Sequence, residues 1–362
     1  MNYIEVTYKA TQKFCKDIFQ SYGFTPQQSS LITDVLLKAD LWGIESHGIQ
    51  RLSRYHNEMK NGMVSVKASP EVVFESPVSA VIDANKGMGQ IVSVDAMNLA
   101  IEKAKLSGIG MVAVRNSNHY GIAGYFAEMA VKHDMMGICM TNTEAIAVPT
   151  FGKKAMLGTN PIALGFPAEP TNFLFDASTT VVTRGKVEVY NKNQAPLPEG
   201  WTLNKDGNVS SDAGDVLHNI IHKLGGGIAP LGGTVELTGG HKGYGLGIIV
   251  DLFTGVLSSG MTSNHVQAST DTAGTAHFFM AVDYGIFGDK LEVKERFSTL
   301  LRELRESPKA DGQQRIYTHG EKEAELMASR MAGTIPVNIN TWQEMKDIAE
   351  SQGVEFDGYF VG

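Results

Sequence analysis

The sequence predicts an α/β protein, in a mixed α/β or α+β arrangement, with helices towards both ends and a sheet in the middle. Apolar residues recur at helical spacing in the first sixty residues and again over 291–352. Short runs rich in β-branched residues fill the part between them. The length of 362 residues predicts two or three domains, and 43% hydrophobic with 19% charged residues is typical of an ordinary globular protein.

The N-terminal helices are predicted from their start and stop signals. Thr25 precedes a proline, and Gln28 stands three residues further on, which is a capping-box arrangement. Apolar residues then continue at helical spacing as far as Gly43, which is suited to end a helix. Ser46 is expected to cap a second helix over 47–60.

The remaining elements follow from periodicity in chain order. Two β-branched runs around Ser76-Pro77 predict a hairpin. The predicted strands are 72–74, 78–82, 109–114, 137–140, 162–166, 173–175 and 277–282. The predicted helices are 91–106, 125–132, 181–190, 242–258, 291–306, 321–332 and 341–352. Residues 191–240 are rich in Gly, Pro, Asn and Asp and are expected to be mostly loop.

Composition argues against several classes of protein. The chain carries 31 Lys and Arg against 39 Asp and Glu, and this net charge of −8 disfavours nucleic-acid binding. The longest apolar stretch, 245–257, is interrupted by Asp251 and is too short to span a bilayer, and the N-terminus does not resemble a signal peptide. Cys15 and Cys139 cannot form a disulfide framework, so a reducing, cytoplasmic location is expected.

Familiar cofactor and metal motifs are missing. A Rossmann dinucleotide site needs Gly-x-Gly-x-x-Gly directly after a strand, but the 108–110 glycines precede theirs and the 243–247 run has Ile248 in place of the third glycine. His218 and His222 are four residues apart and can share a helix face. Without an acidic or cysteine ligand nearby, we expect surface or packing roles and no metal site.

Several polar clusters are candidates for chemistry. Ser46, His47 and Arg51 combine a helix start, an imidazole and a guanidinium, which suits a carboxylate; taken alone, a capped surface helix explains them better. His119 follows a buried strand, where catalytic side chains are often placed. Thr159 and Asn160 form a polar turn that can hold an oxygen-rich ligand, although turn formation alone also explains it.

Two further clusters suit a phosphate-bearing cofactor. Lys242 and Gly243 open an apolar helix, and a helix start with a lysine is a phosphate site without the usual motif. Asp176 to Ser178 follow a strand and can hold a ribose or a phosphate. Together the clusters predict a small anionic substrate, a proton-transferring histidine and a phosphate-bearing cofactor.

Five motifs, in this order along nearly the whole chain, resemble the malate/L-lactate dehydrogenase family that is unrelated to the Rossmann-type enzymes. They are residues 46–48 with Arg51, 118–121, 157–161, 176–178 and 241–245. The resemblance implies a non-Rossmann NAD(P)-binding domain with a mostly antiparallel sheet at 123–306. It further implies a helical N-terminal domain at 10–56 and a mixed α/β substrate-side domain built from 1–9, 57–122 and 307–362.

The resemblance also implies reversible hydride transfer between a nicotinamide and C2 of a small 2-hydroxy or 2-oxo acid. His119 ranks first as the proton-transferring group, with His47 as its partner and Ser46 orienting both. Arg51 would hold the C1 carboxylate, with Thr159 and Asn160 completing the substrate pocket. The residues implied to contact NAD or NADP are Thr143, Asp176, Ala177, Ser178, Lys242, Gly243, Gly320 and Glu321.

Malate is the expected substrate, and L-lactate, ureidoglycolate and sulfolactate are the alternatives within the family. A second carboxylate needs a cation, for which the candidates are Arg54, Arg115, Arg184 and Lys186. Imine-reducing relatives carry an acidic residue near position 186, so the lysine there favours hydroxy-acid chemistry. The family pattern implies a homodimer. A non-catalytic binding protein of the same fold and a metal-dependent hydrolase built on His218 and His222 are lower-ranked alternatives.

Overall fold

The computed structural model describes residues 3–267 and 273–360. The helices are α1 (Tyr8–Ser21), α2 (Pro26–Leu41), α3 (Leu52–Lys60), α4 (Gly89–Ser107), α5 (Ala123–Val131), α6 (Arg184–Lys192), α7 (Ala213–Ile221), α8 (Gly240–Asp251), α9 (Lys290–Glu306), α10 (Glu321–Ala332) and α11 (Ile339–Gln352). The strands are β1 (Tyr3–Val6), β2 (Glu71–Glu75), β3 (Ser79–Asp83), β4 (Ile109–Ser117), β5 (Met136–Thr141), β6 (Ile162–Phe166), β7 (Phe173–Ala177), β8 (Thr202–Leu203), β9 (Val209–Ser210), β10 (Gly227–Ile228), β11 (Thr275–Val282) and β12 (Ile335–Asn338).

A seven-stranded mixed sheet forms the centre, in the order β2-β3-β4-β11-β5-β6-β7. Only β3 and β4 run parallel among these neighbours, and α4 makes the crossover between them. The other five pairs are antiparallel. The prediction of a mixed α/β fold is therefore confirmed, as is the hairpin of β2 and β3.

Helices cover the two faces of this sheet unequally. On one face α4 and α5 pack closely enough that two strand glycines are required: a Cβ on Gly110 would lie 1.9 Å from the carbonyl oxygen of Ala100, and one on Gly137 would lie 2.4 Å from that of Ala127. On the other face α8 packs Val250 against Phe278 and Met140. The pocket described below lies at the end of the sheet where β4 and β5 end and β11 begins.

The N-terminal helices share a second core with the end of the chain. α1, α2 and α3 pack with the β1–β12 pair and with α11, and Phe14, Ile32, Tyr55 and Met345 are buried there. The boundary predicted between residues 122 and 123 falls within the central sheet, whose strands come from both sides of it. The three-domain division stays a prediction, and the site does not depend on it.

Three local predictions need correction. Residues 47–60 do not form one helix capped by Ser46: two 3₁₀ turns, Glu45–His47 and Ile49–Arg51, precede α3, because Gly48 adopts an extended conformation between them. The segment 191–240 contains α7, which Asp212 caps and whose apolar side is buried. The helix predicted over 242–258 begins at Gly240 and continues as one π-helical turn over Leu252–Val256.

Candidate active site

A pocket of about 570 Å³ lies where the 45–51 segment meets the end of the central sheet. It brings together six of the residues predicted from sequence: Ser46, His47, Arg51, His119, Thr143 and Thr159. The size suits a small acid together with a planar ring. Motifs separated by more than 100 residues therefore meet at one place.

Two histidines face each other in this pocket. The rings of His47 and His119 are stacked, with centroids 5.6 Å apart and planes inclined by 26°. Ser46 Oγ lies 2.9 Å from Nδ1 of His47, so Ser46 orients a ring rather than caps a helix. The Tyr55 hydroxyl lies 2.7 Å from Nδ1 of His119. In both rings Nδ1 is engaged, which leaves Nε2 as the nitrogen for other partners.

Burial and positive neighbours keep both imidazoles neutral. Burial, with the charges of Arg51 and Arg54, lowers the pKa of His47 to about 3. Burial is also the main reason that the pKa of His119 lies well below its usual value, and Arg54 and His47 add to it. A neutral imidazole at pH 7 can accept a proton, as oxidation of an alcohol requires.

Three guanidinium groups line the same pocket. Nε of Arg51 donates to the carbonyl oxygen of Ser46 at 2.5 Å, which leaves its two NH₂ groups for a ligand. Arg54 Nε donates to Glu58 at 2.6 Å, and Arg184 Nε donates to Glu188 at 3.0 Å. The other candidate cations are elsewhere: Arg115 pairs with Asp83 at 2.9 Å beside a different groove, and Lys186 does not line the pocket.

A buried carboxyl holds the segment that carries His47 and Arg51. Asp40 is 1% exposed, and its Oδ2 accepts the backbone N–H of Ile49 at 2.7 Å. Burial raises the pKa of Asp40 to about 8, against the opposing effects of that hydrogen bond and of Arg330. A Cβ on Gly48 would lie 2.0 Å from the Asp40 carboxyl, so the glycine is required for this contact.

Asn160 is placed behind the pocket rather than in it. Its Nδ2 donates to the Gly247 carbonyl at 3.0 Å and to Asp251 at 3.3 Å. Its Oδ1 accepts from the Thr143 N–H at 3.2 Å and from Ser263 Oγ at 3.1 Å. The side chain is fully buried and orients Thr143 through the bond from its N–H, and the expected role of Asn160 in substrate binding stays a prediction.

The turn formed by Asp176 to Ser178, which is expected to hold the nucleotide, lies outside the pocket. Asp176 accepts the Gly124 N–H at 2.7 Å and thereby caps α5, and burial raises its pKa to about 6. Ala177 ends β7 beside it, and Ser178 Oγ donates to the Thr180 carbonyl at 3.2 Å. The carboxylate of Asp176 therefore already has a structural role.

The other residues assigned to the cofactor are at two helix starts. Lys242 is exposed, and its ammonium has no hydrogen-bond or ion-pair partner in the part of the chain that the structure describes. A Cβ on Gly243 would lie 2.2 Å from the Leu231 carbonyl oxygen, so close packing of the preceding loop explains this glycine. The expected contact of Lys242 and Gly243 with the cofactor stays a prediction.

Gly320 and Glu321 begin α10 and are explained by local packing. Gly320 has φ +98° and lies against the backbone of the loop before β7. Burial would raise the pKa of Glu321, but hydrogen bonds from Thr318 and Arg315 outweigh it and leave the pKa lowered. Nothing in this geometry brings Glu321 to the pocket.

Sequence reasoning missed several residues of the site. Tyr55 follows Arg51 by four residues, a helical spacing that was available as a signal. Pocket residues that carried no recognised motif include Glu58, Thr141, Asn142, Glu144, Glu188 and Thr275. They come from α3, from the end of β5 and the loop after it, from the start of β11 and from α6, and only the tertiary fold brings them together.

The histidine pair on α7 and the apolar helices were the sequence features relevant to metals and membranes. His218 and His222 lie on the exposed side at the end of α7 with ring centroids 4.4 Å apart. Within residues 3–267 and 273–360, no three metal-ligating side chains come together. In the same ranges every helix is too short or too polar to cross a bilayer.

Comparison with known proteins agrees with the geometry. Residues 6–346 match the family model described as malate/L-lactate dehydrogenase. Malate dehydrogenase of Pyrococcus horikoshii is 42% identical over 355 residues, which are 98% of this chain and 97% of that protein. L-sulfolactate dehydrogenase of Methanocaldococcus jannaschii is 34% identical, with 96% of this chain and 97% of that protein aligned. A solved structure, malate dehydrogenase from Entamoeba histolytica, has a TM-score of 0.94 at 33% identity and covers 98% of this chain, with 99% of its own length matched.

Proposed function

Because the chain belongs to the malate/L-lactate dehydrogenase family, we propose that this 2-hydroxy acid dehydrogenase interconverts malate and oxaloacetate with NAD or NADP. The observation that carries the proposal is the stacked pair of neutral histidines in one pocket with Arg51. The reaction needs a proton acceptor, which a neutral histidine provides, and a group that binds a carboxylate, which Arg51 provides.

The chain's own residues act as follows. The two NH₂ groups of Arg51 hold the C1 carboxylate, because its Nε is already bound to Ser46. His119 accepts the C2 hydroxyl proton at Nε2, since its Nδ1 is engaged by Tyr55. His47, stacked on His119, polarises the same oxygen while Ser46 fixes its ring. In the reverse direction the protonated His119 returns the proton to the carbonyl oxygen.

The site fits a nicotinamide cofactor, which when bound supplies the hydride acceptor or donor. Hydroxyls of Thr143 and Thr159 line the pocket beside the histidines and can hold a carboxamide. Thr143 Oγ1 also accepts the Thr159 N–H at 3.0 Å, which fixes both groups. The unpaired ammonium of Lys242 is available for a phosphate. The Asp176–Ser178 turn and the Gly320–Glu321 turn are kept as nucleotide contacts in this proposal, through backbone atoms.

Malate is favoured by the charge of the pocket. Besides Arg51, both Arg54 and Arg184 line it, and each has NH₂ groups beyond the Nε that its glutamate partner occupies. A second carboxylate is therefore matched by a guanidinium, whereas the methyl group of lactate would not be. A sulfonate has the same need, and the likeness to an L-sulfolactate dehydrogenase makes sulfolactate the second candidate.

We propose that the protein is a homodimer, and that an apolar face exposed on the single chain forms the contact between the two subunits. All five residues of β2 are exposed, and Val73 and Phe74 line a groove together with Leu257. The outer side of α8 also exposes Leu246, Ile248 and Ile249, and Leu252 follows them at the start of the π-helical turn. A surface of this kind is typical of an interface between subunits. The two cysteines are free, which supports the cytoplasmic location we propose.

The test is a spectrophotometric assay of NADH and NADPH oxidation with oxaloacetate, pyruvate, sulfopyruvate and the 2-oxo acid of ureidoglycolate, run side by side. Fast oxidation with oxaloacetate, and at least tenfold slower oxidation with pyruvate, is expected. A preference for sulfopyruvate would identify sulfolactate, instead of malate, as the substrate. Cofactor binding without turnover of any acid would favour the non-catalytic binding protein. Absence of both would refute the proposal.

A further inference from the structure

Behind His119, away from the pocket, lies a buried tyrosine. Tyr55 on α3 is fully buried and its ring centroid is 5.7 Å from that of His119. Its hydroxyl oxygen lies 2.7 Å from Nδ1 of His119, a short hydrogen bond. Tyr55 does not line the pocket, so it cannot touch the substrate and acts only through the histidine.

The contact between Tyr55 and His119 is explained by the protonation of the two ring nitrogens of His119. To accept a proton at Nε2, the neutral ring must carry its own proton at Nδ1. That Nδ1–H then needs an acceptor, and the Tyr55 oxygen is 2.7 Å away.

We infer, on the basis of the proposed function, that Tyr55 is a positioning residue that holds His119 in the tautomer with a free Nε2. During oxidation of the hydroxy acid, the substrate O–H bond breaks, its proton forms a bond to Nε2, and the hydride leaves C2 for the nicotinamide. The Nδ1–H bond stays intact, and the Tyr55 oxygen accepts a hydrogen bond from it throughout. Tyr55 keeps its own hydroxyl proton, so the only proton that is transferred is the one that moves from the substrate to Nε2.

The charged and titratable groups around His119 make this acceptor important. They are His47, Arg51, Arg54 and Glu58 from the 45–60 segment, His277 from β11, and Glu144, Arg184 and Glu188 across the pocket. Arg54, His47, Arg51 and His277 all oppose a positive charge on the ring. The Tyr55 oxygen stabilises that charge, because it accepts a hydrogen bond from the imidazolium.

Replacement of the hydroxyl tests the inference directly. In Tyr55→Phe, kcat for hydroxy-acid oxidation should fall roughly 10- to 100-fold, the value of a hydrogen bond to a charged group, while KM for the acid stays unchanged. The imidazolium loses its acceptor, so the pKa of His119 falls and the acidic limb of the kcat–pH profile moves to lower pH. A merely structural role would not move that limb.

Tyr22→Phe is the matched control. The Tyr22 hydroxyl also contacts Nδ1 of a histidine, His56, but outside the pocket. This variant should keep the wild-type kcat and the wild-type pH limb.

A readout that needs neither substrate nor cofactor is the ¹⁵N chemical shift of the histidine rings in the free protein. We expect His119 to carry its proton at Nδ1. Protonation at Nε2, which the Gly121 N–H at 3.4 Å from Nδ1 would favour, would overturn the inference. So would wild-type turnover by Tyr55→Phe in an active enzyme, with the proposed function left standing. A wild-type protein inactive with every acid would overturn both.

Discussion

Arg51→Lys removes the carboxylate clamp while it keeps the positive charge. Nε of Arg51 is bound to the Ser46 carbonyl at 2.5 Å, so the two NH₂ groups do the binding. A lysine ammonium can take the place of one of these contacts but cannot form two parallel bonds to a carboxylate. The loss of one charge-assisted hydrogen bond, about 1.5–3 kcal/mol, corresponds to a roughly 10- to 150-fold lower kcat/KM.

The loss should appear as a higher KM for the acid. The carboxylate is bound in the ground state and in the transition state alike, so kcat changes little. Steady-state kinetics with malate measures both constants. Arg302→Lys is the control, because Arg302 is exposed on α9 and contacts Thr299 at 3.2 Å. An unchanged KM, or a loss confined to kcat, would show that Arg51 is not the anchor.

His119→Ala should lower kcat by roughly 10²-fold or more, while the dissociation constant for NADH or NADPH, measured by fluorescence, stays the same; undiminished turnover would remove His119 from the mechanism. Asp40→Asn should become relatively more stable as pH rises: the folded-state pKa of about 8 exceeds the unfolded value, so the wild-type chain loses stability as pH climbs to 8 and the amide does not. Urea unfolding near pH 5 and pH 8 checks this sign. The reasoning is contradicted if the free energy of unfolding of Asp40→Asn, relative to that of the wild type, falls between pH 5 and pH 8. Ile248→Glu should shift the protein from dimer to monomer in analytical ultracentrifugation, whereas Ile221→Glu on α7, where the side chain is 56% exposed against 45% for Ile248, should not; a wild-type monomer would refute the proposed interface.

Local signals in the sequence predicted most elements correctly. The capping box of Thr25 and Gln28 forms as expected and begins α2. The β-branched runs around Ser76 form the predicted hairpin. The 45–51 segment was one exception, because its geometry depends on Asp40, a side chain from the preceding helix that binds the Ile49 N–H. A contact of this kind leaves no periodic pattern.

The site could be predicted as a set of residues but not as an arrangement. His47, Arg51 and His119 do meet in one pocket. Asn160 and Asp176 are polar side chains in similar turns, yet both point inward to satisfy backbone groups of neighbouring segments. Sequence shows that such side chains can form hydrogen bonds and leaves open with which partner. Tyr55 was missed for the same reason: its partner His119 is 64 residues away.

The position of β11 has a consequence for synthesis of the chain on the ribosome. β11 is the last strand of the central sheet in chain order, but it lies between β4 and β5. A nascent chain that ends before residue 275 therefore has two unpaired strand edges at the centre of its future sheet. Because the pocket lies where these strands meet, the site forms only after β11 has been made. Until then the growing chain is exposed to aggregation and is a natural client for chaperones.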